Sequence, residues 1–152
     1  MIETGTILVA DDNSDDIELL KRAFESAGFK NPICYVSDGC ELIEFLKGTG
    51  NRSSASSFPL LMLLDLNMPQ CTGFAVLDWL RKQPDLQNLP TIIFTNSNKQ
   101  ADIINSFRLG AHGYWVKPSR FEDLVKLVVK LKEILRRVAR RVELEFPLPV
   151  PA

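Results

Sequence analysis

Short apolar runs alternate along the chain with segments whose apolar residues recur every three or four positions. The runs are rich in branched aliphatic and aromatic residues, which predicts five β-strands, at 6–10, 33–36, 60–64, 91–94 and 113–116. The three-and-four spacing between them and after the last one predicts five amphipathic helices. Strict alternation of strand and helix is typical of a parallel sheet with helices on both faces, the doubly wound α/β class.

The predicted elements fill a chain of 152 residues and leave no room for a second core. We expect one domain at 1–137, followed at 138–152 by an extension of the last helix and a proline-rich tail. Gly48 is expected to end the second helix. The stretch 49–57 contains no apolar residue larger than alanine, which predicts a polar inserted loop.

Composition narrows the class of protein. With 45% hydrophobic and 24% charged residues, the chain is typical of a globular protein. A formal net charge of −1 gives no overall basic character, so we expect no nucleic-acid partner. No apolar run approaches the ~20 residues of a membrane span, so we expect no membrane partner either. Three cysteines at unpatterned spacings indicate free thiols and a cytoplasmic location.

Polar residues follow four of the five predicted strands. Asp11 and Asp12 follow the first strand, Asp65 the third, Thr95 the fourth and Lys117 the fifth. Binding sites of open parallel sheets lie at the carboxyl ends of the strands, so these side chains should converge. Three carboxylates close together repel one another unless cations compensate them, and one lysine is not enough. The oxygen ligands favour Mg²⁺ as the additional cation.

Four sequence motifs surround these residues: ILVADDN, LLDLNMPQCTG, IIFTNS and GYWVKPS. In this order and spacing, from residue 6 to about residue 135, the chain resembles the receiver domain of response regulators in two-component signalling. The resemblance implies a CheY-like, flavodoxin-like (βα)5 fold with the strand order 2-1-3-4-5. The DDNSDD sequence and the polar insertion resemble single-domain regulators that partner bacterial phytochrome-type histidine kinases.

The resemblance also implies a role for each of the three aspartates that follow strands. Asp65 is the expected phosphoacceptor, which takes a phosphoryl group from a sensor histidine kinase or a phosphotransfer protein. Mg²⁺ is expected to bind Asp12 and Asp65 directly, the backbone carbonyl of Asn67, and Asp11 through water. The protein would catalyse its own phosphorylation and dephosphorylation without being a turnover enzyme on another substrate.

Three further residues complete the expected switch. Lys117 and Thr95 would contact the phosphoryl group, and Tyr114 would turn inward as Thr95 is drawn toward the phosphate. The Lys117–Pro118 peptide bond resembles the cis bond of the family, an isomer that only X–Pro bonds adopt at low cost. The output surface would be the fourth helix, fifth strand and fifth helix.

Three other functions are possible for such a sheet, and the residues argue against each of them. A phosphatase with an aspartyl intermediate would need a second aspartate two residues after the nucleophile, where this chain has Asn67. A flavodoxin-like cofactor binder would need a first loop that attracts phosphate, but Asp11, Asp12, Asp15 and Asp16 would repel it. A receiver that only binds partners would not need the complete set of strand-end residues.

The last helix carries a second apolar pattern. Leu131, Leu135, Val138 and Val142 continue a spacing of three and four, which is typical of a heptad seam. We therefore expect a homodimer, or docking on a kinase, through this helix, unless the helix lies over its own core. Its many basic residues are interpreted as a solvated face.

Overall fold

The computed structural model describes residues 5–50 and 59–139, in which strands and helices alternate as predicted. None of the helices within these ranges is long and apolar enough to cross a membrane. In chain order the elements are β1 (Ile7–Ala10), α1 (Ser14–Ser26), β2 (Ile33–Val36), α2 (Gly39–Gly50), β3 (Leu61–Leu64), α3 (Gly73–Arg81), β4 (Thr91–Thr95), α4 (Gln100–Arg108), β5 (Gly113–Val116) and α5 (Phe121–Ala139).

The five strands form one parallel sheet in the order β2-β1-β3-β4-β5, which confirms the expected fold. At its carboxyl edge, Ala10 is in register with both Val36 and Leu64, and Thr95 is in register with Val116. The residues that directly follow β1 and β3 therefore emerge side by side, and the residue that follows β5 emerges at the same edge, beyond β4.

The sheet separates two apolar layers, because successive side chains of a strand point to opposite faces. Met62 and Tyr114 face a core that contains residues of α2 and α3. Leu63, Phe94 and Trp115 face a second core, built with α1 and α5. Four of the five strands are buried along their whole length, as expected for a sheet covered on both sides.

The start of α1 is fixed by the chain itself. The Asn13 side chain accepts a hydrogen bond from the Asp16 N–H at 3.0 Å and so caps the helix. Asp15 and Asp16 lie in the first turn, where the helix dipole stabilises negative charge. The helix therefore begins immediately beside the carboxyl edge of the sheet.

The predicted end of α2 is wrong. The helix continues through Gly48 to Gly50, and Gly48 does not have the positive φ with which Gly28 and Gly110 follow their helices. A glycine inside a helix costs about 1 kcal/mol relative to alanine, which tertiary packing can offset. Residues 51–57 of the predicted loop lie outside the described residues, as do residues 140–152 of the predicted extension and tail.

The seam prediction is also wrong for its first two residues. Leu131 is fully buried and Leu135 is 2% exposed, both in the core between the sheet, α1 and α5. The three-and-four spacing is that of a helix face that packs on its own domain, which has the same period as a dimer seam. The Val138 side chain and Val142 lie outside the described residues.

Candidate functional site

Two buried carboxylates stand next to each other at the carboxyl edge of the sheet. Asp11 and Asp65 directly follow the register partners Ala10 and Leu64, and they are 3% and 5% exposed. The Asp65 N–H donates to the Ala10 carbonyl at 3.0 Å, which continues the strand pairing up to the acid. Together with the exposed Asp12, they can offer one oxygen each within 4.8 Å of one another.

Lys117 brings the ammonium group into the same site. Its Nζ lies 2.7 Å from Asp11 Oδ2, 2.8 Å from Asp16 Oδ2 and 3.0 Å from Asp65 Oδ2. An ammonium group has three N–H donors, so these three carboxylates match its full capacity. The Lys117 side chain is only 6% exposed. Asp16 does not follow a strand, so the pattern of residues at strand ends does not predict it as a partner of Lys117.

The backbone of the neighbouring loops orients the two buried acids. Asp11 Oδ1 accepts a hydrogen bond from the Asn13 N–H at 2.9 Å. Asp65 Oδ1 accepts one from the Asn67 N–H at 3.3 Å. In both acids one oxygen is thus held by the backbone while the other faces Lys117, so neither carboxylate is free to rotate without losing a contact.

Burial and charge shift two pKa values in this cluster. Burial raises the pKa of Asp11 from its ordinary value of 3.8 to about 6, although Lys117 and the Asn13 N–H act in the opposite direction. Burial alone would lower the pKa of Lys117, but the carboxylates around it outweigh burial and raise that pKa. Lys117 is therefore a permanent cation, whereas the charge of Asp11 changes around pH 6.

A close approach of backbone segments fixes the loop that carries Asp65. A Cβ atom on Gly73 would lie 2.4 Å from the Asp65 carbonyl oxygen and 2.8 Å from Leu66 Cα. The Gly73 N–H donates to the Leu66 carbonyl at 3.0 Å. Only glycine allows the start of α3 to pack this tightly against the acceptor loop.

Thr95 and Tyr114 lie on the other side of the site, around the loop after β4. Both are fully buried. The Ser97 N–H approaches Thr95 Oγ1 at 3.4 Å, and the Tyr114 hydroxyl donates to the Ser97 carbonyl at 2.8 Å. The tyrosine thus occupies an inward position and ties β5 to this loop, while its role in switching stays a prediction.

The expected cis bond between Lys117 and Pro118 is wrong, because none of the peptide bonds between described residues is cis. For an X–Pro bond the trans isomer is favoured by about 0.5–1 kcal/mol, so cis persists only where the surroundings require it. Here the trans bond is compatible with all three carboxylate contacts of Lys117.

The donor set fits a small divalent cation. All the grouped side chains offer carboxylate oxygens, and hard oxygen ligands are those that Mg²⁺ prefers. Asp11, Asp16 and Asp65 contact the Lys117 ammonium, and Asp12 adds a fourth carboxylate to the group, so a dication would balance much of the remaining charge. The roles of the Asn67 carbonyl and of a water on Asp11 stay predictions.

Comparison with known proteins places this site in a family. The family model described as response regulator receiver domain matches residues 7–129. The probable methanogenesis regulatory protein FilR2 of Methanothrix harundinacea is 32% identical over 127 residues, which is 84% of this chain and 81% of FilR2. The response regulator Rcp1 of Synechocystis is 31% identical over 122 residues, 80% of this chain and 82% of Rcp1.

Solved structures agree with this assignment. The phosphorylated cyanobacterial phytochrome response regulator RcpA superposes with a TM-score of 0.77 at 29% identity, and covers 88% of this chain and 94% of its own. The Mn²⁺-bound form of Rcp1 gives a TM-score of 0.73 at 28% identity, over 85% and 92% of the two chains. The chain therefore belongs to the response regulator receiver family, whose general function is phosphorylation on an aspartate by a histidine kinase.

Proposed function

We propose that Asp65 accepts a phosphoryl group from the phosphohistidine of a sensor histidine kinase or of a phosphotransfer protein. The observation that carries this proposal is the placement of the buried Asp65, with one oxygen 3.0 Å from Lys117 Nζ, inside an acidic cluster. A carboxylate oxygen of Asp65 attacks phosphorus and forms a P–O bond. The P–N bond breaks, and its electron pair returns to the histidine ring.

The neighbouring side chains have separate tasks in this transfer. Asp12 and Asp65 would bind Mg²⁺ directly, with the Asn67 carbonyl and, through water, Asp11. The ion supplies positive charge next to the phosphoryl oxygens. Lys117 pairs with the phosphoryl group, and the Thr95 hydroxyl donates to it. The chain is thus a phosphoacceptor that catalyses its own modification, and we propose no turnover of an external substrate.

The surface of α4, β5 and α5 is the proposed output. Of the five large hydrophobic side chains exposed among the described residues, four belong to α4 and α5: Ile104, Phe107, Phe121 and Val129. Since Tyr114 connects β5 to the loop that precedes α4, a change at Thr95 can reach this surface. A second copy of the chain is the proposed partner there, which light scattering over a range of concentrations would test.

The names of the relatives favour a phytochrome-type kinase as the phosphodonor, because RcpA is a phytochrome response regulator. We propose this donor for the present chain as well, in the cytoplasm, where its three free thiols would stay reduced. Transfer from a purified phytochrome-type kinase should be faster than transfer from an unrelated histidine kinase. Equal rates would contradict the choice of donor and leave the acceptor chemistry unchanged.

The decisive experiment measures the intact mass of the protein after incubation with a small acyl-phosphate donor. Wild type should gain one phosphoryl group in the presence of Mg²⁺ and none with a chelator. Asp65→Asn should gain none under either condition, because the amide is not a nucleophile for phosphorus.

Asp78→Asn is the matched control. Asp78 lies on α3 in an exposed ion pair with Lys82, so the same chemical change there should leave the adduct unaffected. A wild-type protein without an adduct, or an adduct that persists in Asp65→Asn, would overturn the proposed function.

A further inference from the structure

Asp16 differs from the other acids that contact Lys117. Its Oδ2 lies 2.8 Å from Lys117 Nζ, as close as the oxygens of Asp11 and Asp65. Asp11 and Asp65 also belong to the cluster that can hold a divalent cation, whereas Asp16 does not. Among the described residues, Asp16 is thus the one carboxylate partner of Lys117 outside the proposed metal ligands.

The position of Asp16 is fixed by the start of α1. Its N–H donates to the Asn13 side chain at 3.0 Å, and its carboxylate benefits from the dipole of the first helical turn. The side chain is 28% exposed, whereas the side chains of Asp11 and Asp65 are nearly buried, so its carboxylate loses less contact with water. Asp16 is therefore a carboxylate held in place at the rim of the site.

A divalent cation and the Lys117 ammonium compete for the same carboxylates. Like charges a few ångströms apart repel strongly in a site shielded from water. When Asp11 and Asp65 bind a cation, the Lys117 ammonium must lose part of its contact with them. Asp16 provides a carboxylate toward which the ammonium can withdraw without leaving the site.

We infer that Asp16 is a positioning residue, which holds the Lys117 ammonium beside Asp65 and away from the bound cation. This inference rests on the proposed function, because it assumes that the acidic cluster binds Mg²⁺. It assigns to α1 a part in phosphoryl transfer: the helix keeps the ammonium ready for the phosphoryl oxygens while the metal site fills.

The first test is the Mg²⁺ dissociation constant, measured by calorimetry for wild type, Asp16→Asn and Asp15→Asn. Asp15→Asn removes the same charge from the same helical turn, at an exposed residue without an observed contact to Lys117. We expect Mg²⁺ binding to weaken about tenfold in Asp16→Asn and about twofold or less in Asp15→Asn, in the range of couplings between contacting groups.

The second test repeats both substitutions in a Lys117→Met background. If Asp16 acts through the ammonium, its substitution should now weaken Mg²⁺ binding no more than Asp15→Asn does. Should Lys117→Met fail to fold, Asp16→Glu in the wild-type background serves instead. The glutamate retains the carboxylate and should recover most of the affinity that Asp16→Asn loses.

Three results would overturn the inference. Equal losses in Asp16→Asn and Asp15→Asn would show only a general charge effect. A tenfold loss that persists in Lys117→Met, or a failure of Asp16→Glu to recover affinity, would show that Asp16 does not act by holding the ammonium. If the wild type binds Mg²⁺ and is phosphorylated, any of these results in the variants refutes the inference alone. A wild type that does neither refutes the proposed function as well.

Discussion

Lys117 contacts three carboxylates. The positions of two of them at strand ends predict their place in the site, and the position of the third does not. Asp11 and Asp65 directly follow strands, and the carboxyl ends of parallel strands are known binding positions. Asp16 follows no strand and reaches the site from the first turn of α1. Its signal in the sequence is the spacing of four residues from Asp12, one helical turn beyond the cap at Asn13.

The raised pKa of Asp11 makes folding stability depend on pH. The folded protein binds this proton more tightly than the unfolded chain does, since the pKa rises from 3.8 to about 6. The contribution of Asp11 to the unfolding free energy is therefore fully present below about pH 4 and is lost as the pH rises through about 6. Without Mg²⁺, the unfolding free energy of wild type relative to Asp11→Asn should fall over this interval.

Urea denaturation in a chelator-containing buffer, at several pH values from about 4 to about 7, measures this difference. Asp11→Asn serves as the reference protein, because the substitution removes the titrating group and keeps the size of the side chain. A difference that stays constant across the interval would contradict the raised pKa.

At the scale of elements, the sequence predicts which segments form strands and helices better than it predicts where helices end. The cap at Asn13 is visible because its side chain acts within three residues. The end of α2 is not, because Gly48 continues the helix at a cost that packing outweighs. Likewise, the Lys117–Pro118 isomer depends on surroundings that local sequence does not contain.

The close contact of α3 with the acceptor loop leads to a prediction about Gly73. Gly73→Ala places a Cβ within 2.4 Å of the Asp65 carbonyl oxygen, a backbone atom that moves only with the loop. We expect a loss of about 1–3 kcal/mol in unfolding free energy, typical of overpacking. Phosphorylation of Asp65 by an acyl phosphate should also slow, because the acceptor shifts.

Gly48→Ala is the matched control for this substitution. Within the described part of the chain, no atom outside its own helix lies within 4 Å of a Cβ added there, and alanine favours a helix interior. It should stabilise the protein by about 0.5–1 kcal/mol and leave phosphorylation unchanged. Equal stability and equal rates in the two variants would show that the contact at Gly73 does not constrain the loop.

For the whole molecule, the alternation of strands and helices suffices to predict a two-faced core, but not what covers each face. The spacing of Leu131 and Leu135 is the same for a helix that packs on its own sheet and for a helix in a dimer. Only the contact of α5 with α1 and the sheet distinguishes these arrangements, and it involves residues more than a hundred positions apart. Such long-range packing is absent from any local pattern.

The buried face of α5 should contribute strongly to stability. Leu131→Ala removes a fully buried side chain and should cost about 2–5 kcal/mol in unfolding free energy. The Val129 side chain on the same helix is 51% exposed, so Val129→Ala should change the unfolding free energy by less than about 0.5 kcal/mol. Urea denaturation of both variants tests this, and a small effect of Leu131→Ala would place that face outside the core.

The position of α5 at the end of the fold has a consequence for protein synthesis. A ribosome adds about 5–20 residues per second, and β1 cannot pair with β3 until Leu64 has emerged. The face formed by Leu63, Phe94 and Trp115 stays uncovered until α5, the last of the described elements, has also been made. Nascent chains therefore expose this apolar face until α5 has emerged from the ribosome. We expect chaperones to bind chains that stop before Leu131, and such chains to aggregate when chaperones are scarce.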